Sequence, residues 1–196
     1  MEQLKSFSYR TNLNKSLVNS LRKFDMEDLF YEIRKINKFY QENEILDEVD
    51  IDYRIKSIDS CLRKYHKFYP AMRVEKTFND ILGFRIVSDN YDELLDQKPM
   101  DGFRIVDMSG GKADDDGYRG VHVYYQPSHF HYPIEIQVNS FYDRQLNNWL
   151  HKYLYKRENT DRIGKNLRMQ YEHGRISNEK EFREVLTDVL SNSQKI

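Results

Sequence analysis

Residues 80–87 read DILGFRIV, a short run of apolar and β-branched residues that contains one arginine. Turn-forming residues bound it on both sides, Asn-Asp at 79–80 and Ser-Asp-Asn at 88–90. A run of this length and composition predicts a β-strand over residues 81–87. Three further segments have the same character, which predicts strands at 103–108, 121–126 and 133–138.

Apolar residues at helical spacing surround these strands. They predict helices over residues 16–41, 52–69, 141–156, 162–175 and 179–190. The combination predicts an α+β fold, in which helices flank a mixed, mostly antiparallel sheet of four or five strands. We expect one domain over residues 1–196, with its core in 53–156, N-terminal helices in 16–41 and C-terminal helices in 162–190.

The composition excludes several classes of protein. The 196 residues carry a formal net charge of −1, so any contact with nucleic acid must come from a local basic patch. A single cysteine, Cys61, excludes an intrachain disulfide and a cysteine-based zinc cluster, and it favours a cytoplasmic location. No apolar run is long enough for a signal peptide or a membrane span, so we expect no membrane partner.

Four residues of the predicted helix 52–69 form a basic motif. Arg54, Lys56, Ser60 and Lys64 stand at offsets of 0, 2, 6 and 10. Ser60 and Lys64 are four apart and share a face of a helix, while the first two would lie at its start, where an anion is favoured. The motif predicts a site for a triphosphate; a solvated basic face is the alternative.

Carboxylates appear at two of the predicted strands. Asp80 precedes the first strand and could hold a hard cation such as Mg²⁺, while Arg85 inside that strand offers a planar group that could stack on a base. Strand alternation points Glu135 and Gln137 to one face of the last strand. A buried glutamate on an apolar strand is costly without a partner, which favours a functional role for Glu135.

The segment 117–122 reads GYRGVH, in which two glycines surround an aromatic and a cationic residue. The glycines permit close approach of the backbone to a ligand, with Tyr118 free to lie on a base. A strained hairpin turn is the alternative. His151 follows on the next predicted helix, where a single histidine is more often structural than catalytic.

The order of these motifs resembles the synthetase domain of the RelA/SpoT family, over about residues 53–156. The family pattern RxKxxxSxxxK is met at 54–64, DxxGxR at 80–85, GYRxxH at 117–122 and ExQ at 135–137. The histidine and the Tyr-Lys pair that follow in the family are met by His151, Tyr155 and Lys156. The resemblance implies the nucleotidyltransferase-like fold of these synthetases.

The resemblance also implies a pyrophosphokinase that uses Mg²⁺ and ATP. Arg54 and Arg85 would enclose the adenine, and Lys56, Ser60 and Lys64 would bind the phosphates. Asp80 and Glu135 would be the catalytic carboxylates and hold the metal, and Glu135 would take the proton from the attacking hydroxyl. The residues implied for the acceptor are Tyr118, Arg119, His122, Gln137 and His151.

The chain departs from the family on the acceptor side. Asp114, Asp115 and Asp116 stand where the family usually has cations, Asn139-Ser140 replaces Arg-Thr, and Leu150 replaces an acidic residue. Three carboxylates would repel the 5′-phosphates of GDP or GTP.

An acceptor without a free 5′-polyphosphate fits this loop better. The chain thus resembles the toxic branch of the small alarmone synthetases, which modifies the 3′-CCA end of tRNA to inhibit translation and pairs with a protein antitoxin. Basic residues outside the pocket could then hold the acceptor stem: Arg22, Lys23, Arg162, Lys165 and Arg168.

Two alternatives remain on sequence grounds. The first is a synthetase of guanosine or adenosine tetra- and pentaphosphates that uses free nucleotides as acceptors. The second is a catalytically dead fold that binds nucleotide or RNA. The presence of both Asp80 and Glu135 argues against the second.

Overall fold

The computed structural model describes residues 2–98, 100–155 and 161–193, without the side chains of residues 47, 161, 192 and 193. The helices are α1 (Glu2–Ser6), α2 (Met26–Gln41), α3 (Glu44–Asp47), α4 (Ile58–Phe68), α5 (Val74–Thr77), α6 (Asp92–Leu95), α7 (Phe141–Tyr153), α8 (Asp161–Glu172) and α9 (Glu179–Ser193). The strands are β1 (Asp52–Ile55), β2 (Leu82–Val87), β3 (Phe103–Asp107), β4 (Val121–Tyr125) and β5 (Ile134–Asn139).

The strands form one five-stranded mixed sheet in the order β1-β2-β5-β4-β3. This confirms the predicted α+β class and the number of strands. Each predicted strand lies within two residues of an observed one. The additional strand is β1, which pairs antiparallel with β2 so that Arg54 lies opposite Gly83.

The prediction of one helix over residues 52–69 was wrong in its first part. Residues 52–55 extend into β1, and α4 begins only at Ile58, after Ser57 caps it by accepting a hydrogen bond from the Ser60 amide. Over so short a run, the apolar residues of 53–55 fit the spacing of a helix as well as that of a strand. Pairing with β2, which local spacing does not reveal, decides between them.

The predicted N-terminal helices over residues 16–41 are shorter than expected. A single turn of 3-10 helix spans Leu21–Lys23, and α2 begins at Met26, where the Asp25 carboxylate caps the amides of Glu27 and Asp28. The buried face of α2 joins a core that contains Leu29, Ile33 and Ile36.

The described residues group into two compact units. The first comprises the described residues within 1–86, 97–105 and 122–137, and the second those within 87–96, 106–121 and 138–196. The first has its own apolar core around α2, α4 and the sheet, and the second has a core of α7, α8 and α9 that includes Leu146, Leu150 and Phe182. The single domain remains a prediction. Among the described residues, no helix has the length and apolar character that a membrane crossing requires.

Candidate active site

Strand pairing brings Arg54 and Arg85 to one face of the sheet. Arg54 on β1 lies opposite Gly83 on β2, and Arg85 lies two residues further along β2. Because directly opposed residues and residues two apart share a face, the two arginines are diagonal neighbours. Such pairs are separated by about 7–8 Å between backbones, which leaves room for one aromatic ring between two guanidinium planes. Both side chains are partly exposed.

Two lysines hold the Asp80 carboxylate. The Lys56 ammonium donates to Oδ2 at 2.7 Å, and the Lys64 ammonium donates to Oδ1 at 3.0 Å and to the amide oxygen of Asn79 at 3.0 Å. The Arg54 guanidinium lies 3.7 Å from Oδ2. Three cations thus surround one carboxylate, and the positive charge in excess is what a polyphosphate requires.

The sequence predicted that Lys56 lies at the start of a helix, and this prediction was wrong. Lys56 follows β1, and its amide donates to the Ile81 carbonyl at 2.8 Å, so the junction with β2 fixes its position. Ser60 does lie in the first turn of α4. Its hydroxyl is hydrogen-bonded to Ser57 and accepts from the guanidinium of Arg63, both at 2.9 Å. Sequence reasoning overlooked Arg63, although it stands three residues after Ser60 on the same helix.

Asp80 remains ionised despite its burial. Burial by itself raises the pKa of its carboxyl, but the charges and hydrogen bonds of Lys64 and Lys56 outweigh that effect and hold the pKa below its ordinary value. The side chain of Asp80 is 13% exposed and that of Lys56 14%, so solvent screens the pair weakly.

Glu135 lies buried on β5, on the same face as Gly83. A methyl group at Gly83 would lie 3.6 Å from its Oε2. The carboxylate accepts from the Tyr124 hydroxyl at 3.0 Å and from the Gln137 amide at 2.8 Å, and the Nδ1 atom of His122 lies 3.1 Å from its Oε1. The predicted residues Gln137 and His122 therefore both contact Glu135.

The surroundings of Glu135 keep it charged at neutral pH. Burial favours the neutral acid, but the interaction with His122 outweighs it and lowers the pKa of Glu135 below its ordinary value. The charge of Asp80 acts in the opposite direction and raises the pKa of Glu135, so the two carboxylates interact electrostatically. Burial and the charge of Glu135 raise the pKa of Tyr124, which keeps its hydroxyl a donor.

Sequence reasoning overlooked Tyr124 as a site residue. The residue is 8% exposed, and its hydroxyl lies between Glu135 and the His122 imidazole, whose Nδ1 atom is 3.2 Å away. The available signal was its position two residues after His122, which places both side chains on one face of β4.

The donor set of Asp80 and Glu135 fits Mg²⁺. Both are oxygen ligands that remain ionised, and the charge of one is felt by the other. Among the described residues no group of three or more metal-ligating side chains forms. Mg²⁺ is usually held by one or two carboxylates together with water and substrate phosphates, so a site with two carboxylates suits it.

In the second unit, the acidic loop is largely paired with cations. Asp115 accepts from the Arg119 guanidinium at 2.7 and 3.1 Å, and Asp116 accepts from Lys112 at 2.6 Å. The hydrogen bond from Arg119 is the main reason why the pKa of Asp115 is lowered. This pairing weakens the expected repulsion of 5′-phosphates, although residues 107–121 still contain four carboxylates and only two cations.

Tyr118 is half-buried in this loop. Its hydroxyl accepts from the Asn139 amide at 3.3 Å, and the Lys112 ammonium lies 5.2 Å from its ring centroid. Arg119, which the sequence assigned to the acceptor, is engaged by Asp115 and its side chain is 12% exposed. His151 lies on the exposed surface of α7, and Lys156 lies outside the described residues.

The prediction that Arg168 binds RNA was wrong. Its side chain is only 1% exposed, and it donates to Asp143 at 2.7 Å, to Asn147 at 3.0 Å and to the Gly117 carbonyl at 2.8 Å. Its place on the buried face of α8 could be seen only once α7 packed against that helix. The other predicted basic residues are exposed: Arg22, Lys23, Arg162 and Lys165.

Neither a protein-family model nor a curated protein matches the chain. It is similar to small alarmone synthetase 1 from Bacillus subtilis bound to its product pppGpp, at 22% identity over 87% of this chain and 92% of that chain, with a TM-score of 0.43. It is also similar to a GTP pyrophosphokinase family protein from Streptococcus pneumoniae, at 20% identity over 86% and 89% of the two chains, with a TM-score of 0.40.

Proposed function

We propose that this chain is a magnesium-dependent pyrophosphokinase, which transfers the β,γ-diphosphate of ATP to a ribose 3′-hydroxyl. The observation that carries the proposal is the set of cations around Asp80, which lies in the same unit as the buried, ionised Glu135. A phosphate site with two carboxylates beside it is the arrangement that phosphoryl-type transfer needs, because the reaction depends on positioning and on neutralising charge.

The adenine would lie between Arg54 and Arg85. Their diagonal relation across β1 and β2 supports this, since a guanidinium stacks well on an aromatic ring and both arginines extend from one face. Arg54→Ala and Arg85→Ala should each weaken ATP binding with little change in fold. Two variants that both bind ATP as the wild type does would contradict the stacking.

The phosphates would replace Asp80 as the partner of the lysines. In the free protein Lys56 and Lys64 neutralise the carboxylate. When ATP binds, the same ammonium groups, with Ser60, would donate to phosphate oxygens. Asp80 and Glu135 would then hold Mg²⁺, which when bound neutralises charge on the transferred diphosphate.

Glu135 would accept the proton of the attacking hydroxyl. Its lowered pKa keeps it ionised and ready to accept, and Tyr124, His122 and Gln137 fix its orientation. If the attacking hydroxyl is aligned within hydrogen-bond reach of this carboxylate, the transfer requires no covalent enzyme intermediate.

For the acceptor we propose the 3′-terminal adenosine of tRNA, with Tyr118 stacked on its base. The support is the charge of residues 107–121, which remains negative after Lys112 and Arg119 are counted and favours an acceptor without a free 5′-polyphosphate. The chain would then act in the cytoplasm as a translation-inhibiting toxin with a protein antitoxin. Exposed Arg22, Lys23, Arg162 and Lys165 are the basic residues left for the acceptor stem.

A second candidate is synthesis of guanosine or adenosine tetra- and pentaphosphates from free nucleotides. The pairing of Asp115 and Asp116 with cations favours it, because it reduces the repulsion of a 5′-polyphosphate. A dead binding module is the third candidate, and two ionised carboxylates in the site argue against it.

The experiment is transfer of label from γ-labelled ATP to deacylated tRNA, GDP, GTP or AMP, each tested separately. Label on tRNA alone supports the first proposal, and label on a free nucleotide supports the second. Absence of label on every acceptor, with ATP still bound, would leave the binding module.

A further inference from the structure

A cationic cavity lies on the first unit, beyond the residues discussed so far. It has a volume of about 330 Å³, and its lining includes Arg73, Glu75, Lys76, Arg104 and Tyr124. Three of these side chains are cations and one is a carboxylate. None of the motifs that suggested the function includes Arg73, Lys76 or Arg104.

The cavity retains positive charge. Its carboxylate, Glu75, is buried and interacts with Arg73, with Nη1 and Oε1 3.6 Å apart. Among the described residues, no carboxylate lies within 4 Å of the Lys76 ammonium or the Arg104 guanidinium. Burial and the repulsion of Arg104 lower the pKa of Lys76, as expected where cations are gathered without enough counter-charge.

One side chain connects this cavity with the proposed base. The Arg104 guanidinium lies 4.3 Å from the centroid of the Tyr124 ring, and the hydroxyl of the same tyrosine donates to Glu135 at 3.0 Å. Tyr124 therefore forms the wall between the cavity and the carboxylate. Arg104 and Glu135 are thus linked through a single side chain.

We propose that this cavity is a phosphate subsite, in which Lys76 and Arg104 bind the phosphate on the 5′ side of the acceptor ribose. The inference rests on the proposed function, and it names cations outside residues 107–121, whose own Lys112 and Arg119 are paired with Asp116 and Asp115. The planar guanidinium of an arginine and the ammonium group of a lysine both bind phosphate oxygens well. The negative charge of residues 107–121 favours a phosphodiester of an RNA strand as the bound phosphate, because it disfavours a free 5′-polyphosphate.

The first test is binding, which requires no transfer. A fluorescent single-stranded RNA that ends in CCA is titrated at several salt concentrations with the wild type, with Lys76→Gln, with Arg104→Gln and with the double variant. Lys38→Gln is the matched control, because it removes the same charge from a side chain that is 71% exposed and lies outside the cavity.

We expect the double variant to bind the RNA at least tenfold more weakly. Its plot of log affinity against log salt should be shallower by roughly 0.7 for each phosphate that the protein no longer neutralises, whereas the control keeps the wild-type slope. ATP affinity should be unchanged in all variants. Thermal melts check folding, and Arg104→Lys, which keeps the charge, should retain most of the affinity.

A parallel titration with GTP identifies the source of the phosphate. If only RNA binding falls, the subsite takes a phosphodiester; if GTP binding falls as well, it takes a 5′-polyphosphate. Equal affinity and slope for the double variant and the wild type, or no binding of either ligand by the wild type, would overturn the inference. Failure of the transfer assay with intact binding would instead contradict the proposed function alone.

Discussion

Replacement of Asp80 by asparagine should have opposite effects on ATP binding with and without magnesium. In the free protein the carboxylate accepts from Lys56 at 2.7 Å and from Lys64 at 3.0 Å. Asparagine keeps the volume and removes the negative charge. Without metal, the two lysines are then fully available to the phosphates and no carboxylate repels them, so we expect Asp80→Asn to bind metal-free ATP more tightly than the wild type.

The magnitude follows from the geometry of this contact. A phosphate that accepts from the same ammonium groups would lie roughly 5–6 Å from the Asp80 carboxylate, since each hydrogen bond spans about 2.8 Å. The repulsion between two unit charges at that distance is about 0.8 kcal/mol in water and about 3 kcal/mol at an effective dielectric constant of 20. The weak exposure of Asp80 and Lys56 places the site between these limits. The affinity for metal-free ATP should thus rise roughly 4- to 150-fold.

Calorimetric titration with a non-hydrolysable ATP analogue measures the affinity twice, once in EDTA and once in Mg²⁺. The wild type should gain affinity when Mg²⁺ is added, and Asp80→Asn should lose most of that gain along with diphosphate transfer. Asp59→Asn is the matched control, because Asp59 is an exposed carboxylate in the first turn of α4. This variant should have the wild-type affinity both in EDTA and in Mg²⁺. If Asp80→Asn binds metal-free ATP no more tightly than the wild type, Lys56 and Lys64 do not bind the phosphates.

Three further predictions test other parts of the site. Glu135→Gln should lower transfer at least roughly 100-fold in single-turnover assays with ATP binding preserved, and near-wild-type transfer would exclude Glu135 as the base. Tyr118→Ala should lower tRNA modification roughly ten- to a hundredfold without lowering the ATP affinity, because base stacking contributes about 1–3 kcal/mol. A lower ATP affinity together with a lower melting temperature would instead indicate a packing role. Arg168→Met should lower the free energy of unfolding by about 3–5 kcal/mol in urea titrations, since it removes the cationic partner of the Asp143 carboxylate, and an unchanged midpoint would mean that this ion pair does not stabilise the fold.

The pH dependence has a definite sign. The folded-state pKa of Asp80 and of Glu135 is lowered, so each contributes stability that is present above its unfolded pKa and is lost as the pH falls through its folded pKa. Unfolding measured between neutral and acidic pH should therefore show stability declining on the acid side. In Asp80→Asn the decline should be smaller, and an identical decline would mean that the lysines do not stabilise the carboxylate.

Much of the secondary structure followed from the sequence because its signals are local. A run such as 81–87 is short, apolar and β-branched, and it ends at turn residues. The motifs also named Asp80, Lys64 and Glu135 as candidates, because residue types that suit phosphates and a metal ion can be recognised in the sequence alone.

The acceptor side could not be judged in the same way. The sequence shows three consecutive aspartates, and their repulsion of phosphates depends on which cations lie next to them. Lys112 and Arg119 stand four residues from Asp116 and Asp115, and only the fold of the loop turns that spacing into ion pairs.

The sequence alone determined which residues carry charge, four of the five strands and the beginnings of α7, α8 and α9 to within one residue, since these depend on neighbours along the chain. Tertiary structure decided that Arg54 lies on a strand opposite Gly83, that Arg168 is buried and that Tyr124 joins Glu135 to a cationic cavity. Each of these depends on pairing or packing between residues at least eleven positions apart. The free energy of such contacts outweighs the local preference of a short segment, which is why no pattern within the segment reveals them.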